Sequence, residues 1–544
     1  MRISFFALWL IACAHAPSSK SAGGLGSHRR RVTTSSKIAQ REFDRGLAFV
    51  YAFNHDEAIR RFSLAAQNDP GCAMCEWGVA LANGPHINNP TMDVAHVNAA
   101  WAALERAKRQ AEHASPVENA LIEALSQRYA DPTWAEQERN DRKTLDAAYA
   151  TAMRRTWQTY SNDTDVGALF AEALMDLRPW DLWTADGKPQ PETPEILATL
   201  ERVLTLDPRH PLANHLYIHV VEGSPNPEKG DAAADRLRTL APALGHLVHM
   251  PSHIDVRRGR WAQAEQTNER AIEADRRYRQ SAPPQEFYRF YMVHNRHMLA
   301  YAALMQGESA KALTAIRDAA ATLPPEALQG QPSMVDGYLA MPLEVLMRFG
   351  RWDEILATPD FDEKFPLARA LRHCARGIAR AAQGEPLKAR EEEQAFALQR
   401  ENVPKEENFG NNSAADLLSV AGALLAGEIL VHENRMQAGI EKLTEAVQAE
   451  DALRYNEPPD WIQPVRHALG AALLKAGRAA DAEAVYREDL RRLPENGWSL
   501  WGLSKSLRLQ KKDAEAVSID ARFANVWKTA DLKLSSSCFC LPGI

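Results

Sequence analysis

Turn-then-helix segments recur along this chain with a period near 34 residues, which constrains its fold more than any other feature. The stretches RGLAFVYAFNHDEAIRRFSLAAQNDP (45–70), RRGRWAQAEQTNERAIEAD (257–275), MQGESAKALTAIRDA (305–319), RFGRWDEIL (348–356) and KAGRAADAEAVYREDLRRLP (475–494) share one grammar. A small residue closes one helix, a short turn follows, and an amphipathic second helix begins. From residue 39 onward the apolar positions follow helical spacing, without a convincing alternating strand pattern. A unit this short cannot bury its apolar face alone, so neighbouring units must stack into one continuous array. The expectation is an all-α solenoid of roughly ten helical hairpins.

Gly46, Ala58, Phe62, Ala65 and Pro70 stand where a tetratricopeptide repeat places small, small, aromatic, small and proline. Over 37–544 the chain therefore resembles the tetratricopeptide-repeat (TPR) superfamily. The stretches CAMCEWGVALANGP, HMPSHI, HNRHMLAYAALMQG and YNEPPDW also resemble a group of bacterial proteins described only by their repeats. The resemblance implies a TPR-type helical-hairpin solenoid, a right-handed superhelix, and carries over no catalytic residues. It also implies a register. With the turn glycine at place 15 of each unit, places 2, 5, 9 and 12 of the first helix line the concave groove.

In that register Gly259 puts His246, His249 and His253 at places 2, 5 and 9. One unit earlier, His215 and His219 take places 5 and 9, with Glu222 at 12. One unit later, Gly307 sets His294, His297 and Tyr301 at 2, 5 and 9. Seven of the chain's 17 histidines thus share the concave face of three successive helices. Residues four apart stack on one helical face, and packed helices lie roughly 8–10 Å apart. Neutral imidazole suits zinc, copper, iron and nickel. The expected cofactor is copper or zinc, as one or two ions on His215, His219, His246, His249, His253, His294 and His297. Glu222, Tyr301 and Glu172 are candidate oxygen ligands or proton-handling groups, and Glu344 extends the stripe. Copper would point to oxidation and zinc to hydrolysis. The alternative is a non-catalytic scaffold whose open groove takes a peptide or small molecule, or one that charges near neutral pH.

Several other features set expectations. Insertions near 84–93, 177–194 and 276–290 interrupt the repeats, and such excursions often carry function. His86 lies in the first. Trp180, Trp183, Phe287, Tyr288, Phe290 and Tyr291, in or beside the others, could wall a pocket. Cys72 and Cys75 form a CxxC, Cys538 and Cys540 a CxC, and connectivity stays open. Cys374 and His467 fall too far along the array to join the histidines directly. The N-terminal run Ile3–Ala12 reads as a signal segment (1–13) whose Leu10-Ile11-Ala12-Cys13 resembles a bacterial lipobox. Cys13 would be lipidated, with residues 14–36 as a flexible tether holding the protein at the periplasmic face of a membrane; simple secretion is the alternative. No later segment reads as a membrane span. A net charge of −7 argues against nucleic acid as a partner.

Overall fold

The computed structural model describes residues 22–133, 141–283, 287–330 and 332–542. Helices follow one another through almost all of them, each packed on its predecessor, as in Lys37–Tyr51 on His55–Asn68 and Ala414–His432 on Met436–Ala452. The architecture is an all-α helical-hairpin solenoid of TPR type. The only strands among the described residues are Asn408–Phe409 and Asn412–Ser413, a two-residue hairpin.

Local chemistry explains the hairpins. Gly46 and Gly78 leave room for the Phe62 ring between neighbouring helices, where a Cβ on Gly46 would lie 2.7 Å from it. Gly259 (φ 68°) and Gly307 (φ 74°) end their helices in the left-handed region that glycine enters freely. The same two turns accept the far end of the chain. A Cβ on Gly259 would meet the Pro494 carbonyl at 2.5 Å, and one on Gly307 would strike Trp527. Trp261 Nε1 donates to Pro494 O at 2.9 Å, and Trp498 Nε1 to Leu304 O at 2.8 Å. The C-terminal repeats therefore fold back on the middle of the chain, and the groove between them is closed.

Two apolar cores result. One runs from Val32 to Met292, the other from Val256 to Leu541. The histidine-bearing helices lie where these cores adjoin.

Four expectations need correction. The concave face is not the open groove of the scaffold alternative, because Tyr455 from the C-terminal repeats reaches Glu222 on it. Residues 22–36, expected within a tether, pack onto the body: Arg30 pairs with Asp163 (2.8 Å) and Asp165 (3.0 Å), and Thr33 N donates to Glu118. Burial of Val32 and those ion pairs hold this stretch in place. The helix Ala414–His432 is long and apolar enough to cross a membrane, contrary to the reading that no later segment is. It lies two-thirds buried against neighbouring helices, so its apolar surface has a partner inside the fold. The insertion near 276–290 is shorter than expected, since the helix Trp261–Arg279 runs into it. Cys13 and the lipobox lie outside the described residues.

Candidate metal centre

Three backbone segments carry the histidines. The helix Pro211–Glu222 holds His215 and His219 four residues apart. HLVHMPSHID forms two short helices, Gly245–His249 and Pro251–Arg257. Pro251 removes one N–H at the junction, yet Met250 stays helical and His249 and His253 keep their common face. The helix Tyr288–Met305 supplies His294.

The rings converge into two sets, His215/His219/His246 and His249/His253/His294, each offering three nitrogens within 4.8 Å of one another. The sets adjoin: ring centroids are 5.5 Å apart for His219 and His253, and 5.9 Å for His246 and His249. Within them, Nε2 faces Nε2 at 2.7 Å (His249–His253), 2.9 Å (His249–His294) and 3.1 Å (His215–His246).

The outer nitrogens decide what those contacts are. His219 Nδ1 donates to Glu222 Oε1 at 2.7 Å, and His253 Nδ1 to Glu222 Oε2 at 2.5 Å. His215 Nδ1 donates to the Tyr51 carbonyl at 2.9 Å. His249 Nδ1 donates to Asn268 Oδ1 at 2.6 Å, and the Asn268 amide is oriented by its own bond to Ala264 O. Each of these acceptors requires a proton on Nδ1, which in the neutral rings of His215, His219 and His249 leaves Nε2 a lone pair. Burial, then the neighbouring imidazoles, holds His215, His246, His249 and His294 well below the usual imidazole range. Burial lowers His219 as well, and its Nε2 has no partner. His246 Nδ1 is unpartnered, so its proton can lie on Nε2 and be donated to His215. In His249 and His253, where both Nδ1 atoms are committed, the facing Nε2 atoms need a proton or a metal ion between them. Ligand nitrogens about 2.0–2.1 Å from a tetrahedral ion lie about 3.3 Å from one another, so small ring rotations would seat one.

Glu222 ties the two sets together. Burial works against its charge, but the His253 and His219 donors outweigh that and hold its carboxyl at about 2. A carboxylate behind ligating imidazoles fixes the tautomer and strengthens the donor nitrogen.

The structure separates the remaining candidates. His297, at a concave place by register, is buried with Nε2 unpartnered and belongs to neither set. Residues three apart on a helix can share a face, yet the His297 ring does not join that of His294. Tyr301 lies against Trp261 (5.5 Å) in the second core, where the folded-back repeats enclose it. Glu172 lies beside Asp176 and Arg128, and burial raises it to about 8. Glu172 is not among the groups that gather at the histidines. Glu344 instead accepts from the Ile462 backbone N–H at 3.1 Å, and His467 contacts Asp489 and Arg348 in the C-terminal half. Cys374 is buried there too, against Ala421. Cys72–Cys75 and Cys538–Cys540 are disulfides.

Other residues close the site. The Phe53 ring lies 4.4 Å from His215 and stacks on His86 at 4.7 Å. Trp180 meets His219 edge-on at 5.0 Å and donates to Asn88 at 3.0 Å, linking the first two insertions over the centre. Tyr291 reaches His246 at 4.5 Å. From the C-terminal repeats, Tyr455 OH contacts Glu222 (3.3 Å) and Glu457 (3.1 Å). Phe53, Tyr455 and Glu457 were not singled out by their residue types. The stretch YNEPPDW, quoted above for its resemblance, contains the last two.

Fold and site together define a closed helical-hairpin solenoid with a buried, all-imidazole centre whose groups could hold metal ions. No protein-family model matches the chain, and no curated protein matches it. Solved structures that resemble it include the human IFIT1 dimer with m7Gppp-AAAA, at 12% identity over 91% of each chain with a TM-score of 0.34. Another is a chain of the APC/C hetero-tetramer Cut9-Hcn1, at 13% identity over 92% of this chain and 78% of that one, with a TM-score of 0.31.

Proposed function

We propose that this protein is a metalloenzyme that binds two ions side by side, one on His215, His219 and His246 and one on His249, His253 and His294. The observation that carries the reading is the 2.7 Å approach of Nε2 to Nε2 between His249 and His253, each with its Nδ1 committed to an acceptor. Copper fits best: both sets are purely imidazole, and divalent copper heads the affinity order for such ligands. An adjacent copper pair supplies two-electron oxidation with dioxygen as oxidant. The protein contributes fixed tautomers through Glu222, Asn268 and the Tyr51 carbonyl, a dry surround from Phe53 and Trp180, and Tyr455 with Glu457 as a path for protons beside Glu222. We also propose export, with Cys13 lipidated and the protein held at the periplasmic face of a membrane.

Elemental mass spectrometry on natively purified protein tests this reading. Two copper ions per chain are expected. Two zinc ions would redirect the activity to hydrolysis, and a metal-free protein that also fails to take up either ion would end the proposal. Mass analysis of the mature N-terminus reads the Cys13 modification.

A further inference from the structure

Beside the histidine centre lies a cavity of about 750 Å³ that the chemistry above does not use. That volume is in the range that takes a small organic ligand. Its walls include Phe53, Phe287 and Phe290, the charged Asp56, Asp93 and Arg289, and three histidines outside both metal sets, His55, His86 and His96, of which His86 is buried. The Phe53 ring is shared: it stacks on His86 at 4.7 Å and also lies against His215 at 4.4 Å. Cavity and centre are thus one aromatic ring apart.

The polar groups in the wall define what fits. His55 Nε2 is buried without a hydrogen-bond partner. Burial lowers the His55 ring to about 4 and holds His86 well below its usual range, so both are uncharged at neutral pH. His86 Nδ1 accepts from the Asn88 N–H at 3.3 Å, which leaves its proton on Nε2 as a donor. The two rings are 4.4 Å apart. A buried nitrogen in want of a partner beside an imidazole donor is served by a group that both donates and accepts. A hydroxyl suits either tautomer of His55, since it can donate to Nε2 or accept from it, whereas a pure hydrocarbon would leave that nitrogen unsatisfied. Aromatic walls favour a planar ring carrying that group.

We propose that this cavity binds a neutral phenol, free or as a tyrosyl side chain, with its hydroxyl between His55 and His86 and its ring beside Phe53. That the phenol is the substrate of the histidine centre rests on the metal reading above; the ligand class does not.

The test uses the full chain stripped of metal, so that it stands apart from metal content. Calorimetric titration with p-cresol, toluene and N-acetyltyrosinamide separates ring from hydroxyl. One satisfied hydrogen bond predicts p-cresol binding about tenfold tighter than toluene. His55→Leu should abolish that difference while leaving toluene affinity unchanged, which also shows that the variant is folded. Met92→Trp, at the cavity wall, should weaken both ligands. Tighter binding of N-acetyltyrosinamide than of p-cresol assigns the tyrosyl source, and weaker binding the free phenol. Equal affinity for toluene and p-cresol, or a p-cresol affinity that His55→Leu leaves unchanged, would overturn the proposal. Phenol binding to a protein that natively takes up no metal would sink the metal reading and leave the cavity's ligand standing.

Discussion

His249 Nε2 and His253 Nε2 lie 2.7 Å apart, the rings held there by Asn268 on one side and Glu222 on the other. A proton shared between the two rings or a metal ion between them satisfies both nitrogens, and four predictions follow from the metal reading and from the closure around it.

If each set holds one ion, the sets should be separable. His249→Ala/His253→Ala is expected to retain one ion per chain on His215, His219 and His246. His215→Ala/His219→Ala should retain the other. Metal-to-protein ratios of one in both double variants would establish two sites; a ratio of zero in both would show a single shared one.

Glu222 touches both sets without belonging to either. Replacing it by Gln keeps the volume but removes the charge and one of the two acceptors. A loss of 10–100-fold in metal affinity is expected, the usual effect of removing an outer carboxylate, measured by competition with a chelator. An unchanged affinity would mean that the imidazoles need no such support.

His297 and His55 give a pH dependence that does not involve the ligands. Burial lowers His297 to about 3 and His55 to about 4, so each stays neutral in the folded chain while the unfolded chain takes up a proton below about 6.5. More protons bound in the unfolded state means stability rises with pH. Each ring is therefore expected to remove about 1.4 kcal/mol per pH unit as pH falls from about 6.5 towards its folded value. His297→Leu should flatten the slope by one proton between pH 6 and 5 in urea unfolding of the metal-free protein. It should leave the metal stoichiometry at its native value. A variant with the native slope would show that His297 is not neutral and buried.

Closure of the solenoid rests partly on Asp531, whose carboxylate accepts from Ser309 N (2.9 Å) and Ala310 N (2.8 Å) at the start of the helix Ser309–Thr322. It caps that helix from a segment 220 residues further on. Asp531→Ala is expected to cost about 1 kcal/mol, the ordinary value of a helix cap. The loss should fade at acid pH: backbone donors hold the Asp531 carboxyl below its usual range, and its contribution ends once it protonates there. Denaturant midpoints at pH 7 and pH 3 check both statements.

Local patterns were enough to read the hairpins and much of the centre. The 3.6-residue helical period and the 34-residue spacing from His215 to His249 and from His219 to His253 both act over one or two units. They placed six converging histidines and Glu222 on one face. The same register placed His297 and Tyr301 there too, because it counts residues and cannot see a helix lean or a core arrive from elsewhere. Phe53 stands in the left-handed region (φ 54°), which no side-chain pattern announced, and it walls His215 only because the first hairpin packs on the His215 helix.

By itself, then, the sequence determined the solenoid, its register and the stripe of imidazoles, since each depends on neighbours along the chain. The tertiary structure decided that the groove is closed, that six histidines split into two sets around one carboxylate, and that Tyr455 and Glu457 attend it. Those outcomes depend on small rotations between units accumulating over hundreds of residues until Pro494 meets Trp261, and only the folded chain sums them.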